Sequence, residues 1–117
     1  MLPIRFNAIY QERVWGGREL ESVYGRELPR EDVPYGESWE ISDREEAQSV
    51  VSEPGGDFEG MSLSELWSDE VTRGRIFGDG LKGDRFPLLI KILDCRQDLS
   101  VQVHPPADLA EELGGEP

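Results

Sequence analysis

The residue types best suited to chemistry stand together near the C-terminal end, in Leu99-Ser100-Val101-Gln102-Val103-His104-Pro105, which holds the only histidine of the chain. Leu99, Val101 and Val103 alternate with Ser100, Gln102 and His104, a period-two pattern that predicts a strand with one apolar and one polar face. Same-face neighbours on a strand lie about 6.5–7 Å apart, so Gln102 and His104 could share one small ligand, with Ser100 one step further along. Neutral imidazole is an ordinary zinc ligand, whereas a glutamine amide oxygen is an unusual one. The competing reading is a plain pair of strand residues facing water. Proline at 105 stops the ladder.

Three more residues invite a chemical reading. In Gly36-Glu37-Ser38-Trp39-Glu40-Ile41-Ser42, Glu37 shares a face with Trp39 and Ile41. It is either a strand-end glutamate in water or a carboxylate at a pocket edge, where it needs a partner. Lys91 interrupts the apolar run Phe86–Cys95, and either snorkels to an edge or meets an anionic group in a polar cavity. Trp15 precedes Gly16-Gly17, a pair that predicts a tight turn. The indole is a core or lid residue, or it lines a pocket.

Several elements must position these groups. The run Phe86–Cys95 reads as a strand covered on both faces, returning through Arg96-Gln97-Asp98 as a hairpin whose second strand is Leu99–His104. Gln48–Val51 is a shorter strand. Arg18–Tyr24 reads as a helix with Leu20, Val23 and Tyr24 inward and Gly25 as its stop. Ser62 and Glu65 form a capping box before a stripe of Leu63, Leu66, Trp67 and Val71. Glycines 74, 78, 80 and 83 mark a loop, and Ala107–Leu113 a last helix before Gly114-Gly115. Cys95, the single cysteine, excludes an internal disulfide and reads as a buried thiol.

Composition narrows the classes of function. A chain of 117 residues with 37% hydrophobic side chains can build one core. A net charge of −13, from 25 acidic and 12 basic residues, argues against nucleic acid and against anionic membranes as partners. No apolar run is long enough to span a bilayer, and Met1–Phe6 lacks a signal peptide's pattern, so a cytoplasmic location is expected.

Four segments then fall in a telling order: Trp15-Gly16-Gly17, Gly36-Glu37-Ser38-Trp39, Phe86-Pro87-Leu88-Leu89-Ile90-Lys91 and Ser100-x-Gln102-x-His104-Pro105. Together they resemble the N-terminal part of the type I phosphomannose isomerases, zinc enzymes of the cupin fold. The resemblance implies a mainly β domain with short helices, an incomplete cupin (jelly roll, or double-stranded β-helix). It implies interconversion of mannose 6-phosphate and fructose 6-phosphate, with a phosphorylated hexose as substrate and zinc as cofactor. Gln102 and His104 take the metal-ligand positions, Glu37 and Ser100 catalytic ones, and Trp15 and Lys91 substrate-binding ones. The family's further ligands, a glutamate and a second histidine, follow the Gln-x-His strand. This chain has no second histidine, and Glu111, Glu112 and Glu116 lack the Lys-x-Glu context of the ligand glutamate. Residues 1–117 are therefore expected to be a truncated N-terminal part of the catalytic domain, inactive alone. A non-catalytic sugar-binding cupin and a small acidic interaction domain are the rival readings.

Overall fold

A computed structural model describes residues 3–115; Met1, Leu2 and Glu116 of the sequence reading lie outside them. In chain order the elements are β1 (Ile9–Gly17), α1 (Glu19–Ser22), β2 (Tyr35–Ile41), β3 (Asp43–Arg44), β4 (Ala47–Gln48), α2 (Leu63–Ser68), α3 (Glu70–Phe77), β5 (Ile90–Leu93) and α4 (Ala107–Ala110). The main sheet has the order β1-β2-β5, antiparallel throughout, and β3 and β4 form a separate two-stranded ribbon. The architecture is thus mainly β with short helices, as the sequence predicts.

The central place of β2 explains its burial. Both its edges are paired, with Glu37 opposite Gln11 of β1 and Leu93 of β5, and Tyr35 through Trp39 are all buried. A second packing centre lies under α2, where Leu63, Leu66 and Trp67 are almost inaccessible. The Trp67 ring meets Phe77 at 5.4 Å and Phe86 at 5.5 Å, edge to face, and its Nε1 donates to Gly83 O at 2.9 Å. Every polar end of this large ring is therefore satisfied. The expected capping box is present, with Glu65 N donating to Ser62 Oγ and Ser62 N to Glu65 Oε2. The Ser62 backbone N–H and then the Ser62 hydroxyl, both donating to Glu65 Oε2, hold the Glu65 carboxyl below its ordinary range.

Several expectations are corrected. Residues 99–105 form no strand, and the 90–104 hairpin is absent. Val101 and Val103 are 97% and 86% exposed. A period-two pattern becomes a strand only where a neighbour accepts its hydrogen bonds, and β5 pairs with β2 on one side alone. The Phe86–Cys95 run contributes a strand only over Ile90–Leu93, with Leu88, Ile90 and Leu93 exposed. Cys95 is exposed rather than buried. Val23 and Tyr24 lie outside α1 and face water. Val71 is 72% exposed because Asp69 ends α2 in an extended conformation and caps a new helix. Gly74 lies inside that helix, and Gly78 terminates it at φ 103°.

Asp94 was not singled out by its sequence context, yet it ties the sheet to α1. It is buried, its backbone N–H donates to Gly36 O at 2.8 Å, and its Oδ2 accepts from Glu19 N at 2.7 Å. A residue distant in sequence thereby satisfies one of the free N–H groups that every helix start leaves. Asp94→Ala is expected to cost about 1–2 kcal/mol, the usual range for losing a helix cap, measurable by chemical unfolding. An unchanged midpoint would mean that water replaces the carboxylate.

Candidate active site

The sheet order brings three charged side chains from three different strands into contact. Glu37, on the central strand, is only 5% exposed. Its Oε1 accepts from Lys91 Nζ of β5 at 2.6 Å. Its Oε2 accepts from Arg13 of β1 at 2.9 Å and from Trp39 Nε1 at 3.0 Å. The carboxylate is thus the partnered alternative, and Lys91 meets this anionic group from an exposed position on the edge strand β5. Burial pushes the Glu37 carboxyl up, but the hydrogen bonds from Lys91 and Trp39 and the charges of Lys91 and Arg13 outweigh it and hold the group below its ordinary value. With one carboxylate against two cations, the group carries a formal charge of about +1 inside a strongly acidic chain.

Because Glu37 is depressed in the folded state, its stabilising contribution is complete above the ordinary carboxylate range and is lost as pH falls through its lower folded value.

Trp15 packs over Gly36 of the central strand, next to the Arg13 stem. A Cβ built on Gly36 would lie 2.6 Å from Arg13 Cβ and 2.6 Å from the Trp15 ring, so glycine is needed where these side chains cross the strand. The Trp15 carbonyl accepts from Arg96 N at 3.0 Å and Gln97 N at 3.1 Å, which clamps the end of β1 to the chain leaving β5. The indole is half-buried. Arg13 and Trp39 escaped the sequence reading as site residues. Arg13 carried no local signal, since its partner lies 24 positions away.

Ser100, Gln102 and His104 form a second, exposed row. Gln102 Nε2 lies 3.5 Å from Ser100 Oγ, so these two do share a side even without a strand. His104 Nδ1 is 2.9 Å from Pro105 O. A carbonyl only accepts, so this bond requires the proton on Nδ1 and leaves the Nε2 lone pair available. A metal-binding imidazole is usually fixed in this way by a hydrogen bond from its other nitrogen. The His104 ring is thereby set in the tautomer that a metal ligand needs. Among the described residues no three His, Cys, Asp or Glu side chains gather as a metal cluster, and zinc ordinarily takes four ligands. A cavity of about 570 Å³ lies elsewhere, lined by Ile4, Val51, Phe58 and Arg75 among others.

The family model for the phosphomannose isomerase type I catalytic domain matches residues 4–116. The chain belongs to that family. It is 46% identical over 103 residues to the mannose-6-phosphate isomerase ManA of Bacillus subtilis, covering 88% of this chain and 30% of that one. It is 38% identical over 114 residues to the mannose-6-phosphate isomerase of Streptococcus mutans, covering 97% and 34% respectively. The crystal structure of the mannose 6-phosphate isomerase from Bacillus subtilis superposes with a TM-score of 0.81 at 38% identity, covering 96% of this chain and 33% of that one. The chain thus spans about a third of the length of the curated relatives it matches. Among the described residues, no helix is long and apolar enough to cross a membrane.

Proposed function

We propose that the protein is a zinc-dependent isomerase of mannose 6-phosphate and fructose 6-phosphate, of which residues 1–117 supply part of the cupin-type catalytic domain. The observation that carries this reading is the family match, joined to the convergence of Glu37, Lys91 and Arg13 from three strands. The reaction moves a proton between two neighbouring carbons through an enediol-like intermediate. A bound zinc would supply electrostatic stabilisation of developing oxyanion charge. Gln102 Oε1 and His104 Nε2 would hold it, with further ligands from the part of the relatives that this chain does not span.

Lys91 and Trp15 would bind the sugar, and Ser100 would offer its hydroxyl beside the metal-binding row. Glu37 keeps Lys91 in place through the 2.6 Å bond. A phosphorylated hexose is the expected partner and the cytoplasm the expected compartment. The direct test is mannose 6-phosphate turnover by the full-length protein before and after chelation, with zinc added back. Zinc uptake without turnover would favour a non-catalytic sugar-binding cupin.

In the full-length protein, Glu37→Gln should leave zinc content unchanged and lower turnover by roughly 100-fold, the low end for loss of a group engaged in proton handling or its support. Wild-type rates would reduce Glu37 to a packing residue.

A further inference from the structure

We propose that Arg13 is a positioning residue of this site, its guanidinium keeping the buried Glu37 carboxylate ionised and aimed at Lys91. The inference rests on the isomerase reading above for its catalytic consequence, but not for its geometry. Nothing in the assignment of Glu37, Lys91, Trp15, Ser100, Gln102 and His104 to the site requires Arg13.

Glu37 lies on the central strand with 5% exposure, where an unpartnered charge would be expelled or neutralised. Lys91 alone occupies Oε1. Oε2 receives Arg13 at 2.9 Å and Trp39 Nε1 at 3.0 Å, so both oxygens are fixed and the plane of the group is set. The charged residues on the neighbouring strands are few. On β1 they are Glu12, whose carboxylate is taken by Arg30, and Arg13; on β5 only Lys91 is charged. Arg13 and Lys91 are thus the two cations that face Glu37.

Their roles differ. Lys91 is the group presented to the site, and Arg13 is the second cation that lets Glu37 remain ionised even when Lys91 engages a substrate oxygen. Charge-assisted bonds of this kind are roughly twice as strong as neutral ones, and Arg holds its charge at any relevant pH. Without Arg13, protonation of Glu37 becomes easier and Lys91 loses its fixed acceptor at a higher pH.

The test uses the full-length protein carrying Arg13→Gln, Arg13→Lys or Trp39→Phe. The titration of Glu37 is followed by carbon-13 carboxyl resonances, with its signal identified by loss in Glu37→Gln. The midpoint should rise in Trp39→Phe, rise by a smaller amount in Arg13→Gln, and return most of the way in Arg13→Lys. The acid limb of kcat/KM for mannose 6-phosphate should move upward in the same order. An unmoved Glu37 midpoint in Arg13→Gln overturns the proposal. So does a moved midpoint with an unmoved acid limb, which would leave Arg13 a purely structural neighbour. Absence of turnover in the unsubstituted protein would instead defeat the isomerase reading, while the carboxyl titration still decides whether Arg13 controls Glu37.

Discussion

Replacing His104 by alanine in the full-length protein is expected to remove zinc retention and isomerase turnover together. The imidazole is the stronger of the two donors in its row, and its Nδ1 bond to Pro105 O leaves Nε2 as the free lone pair. Loss of an outer partner of a metal ligand typically weakens affinity about 10–100-fold, and loss of the ligand itself should exceed roughly 100-fold. Gln102→Ala should weaken binding less, because a neutral amide oxygen is a poorer zinc donor than imidazole. Metal analysis after dialysis, alongside turnover, reads both effects. Full zinc content in the His104 variant would sink the ligand assignment. Lost turnover with retained zinc would move His104 from metal binding to substrate contact.

The second large effect is expected at Gly16. A Cβ added there would sit 2.4 Å from Gly36 N and 2.4 Å from Tyr35 C, both backbone atoms of the central strand. Backbone cannot swing aside as a long side chain can, so β1 must separate from β2 near Trp15. Overpacking usually costs about 1–3 kcal/mol and sometimes more; Gly16→Ala belongs at or above the upper end. The same displacement would move Trp15, whose carbonyl ties down Arg96 and Gln97. Urea unfolding should show the loss, and turnover should fall further than stability alone explains. A variant with wild-type stability would show that the two strands can part at little cost.

Local features were legible in the sequence and long-range ones were not. The capping box of Ser62 and Glu65 is readable because both partners lie within one helical turn. The alternation in Gly36–Ser42 correctly placed Glu37 on a face with Trp39, but the strand's central position depends on β1 and β5. Lys91 reaches Glu37 across 54 positions of sequence, and no spacing rule reports such a contact. The same blindness misled the reading of residues 99–105. Their alternation describes what a strand would present, yet residues 99–105 do not return along the outer edge that β5 leaves open. Cys95 failed for a related reason: an apolar run suggested burial on both sides, and β5 has a covered neighbour on only one. Four weak motifs taken in order pointed to the family more securely than any of them pointed to its own conformation.

The three-way contact at Glu37 also acts as a check on strand register. Arg13, Glu37 and Lys91 come from three adjacent strands, with Arg13 following a bulge in β1 and Lys91 opposite Trp39 in the regular part of the β2–β5 ladder. A slip of one position in β5 would turn Lys91 to the opposite face. The carboxylate on the central strand would then lose a partner while staying buried, which disfavours its charge. Misaligned sheets are thereby penalised at the place where the candidate chemistry is assembled. The charge cluster selects among alignments that hydrophobic contact alone would tolerate.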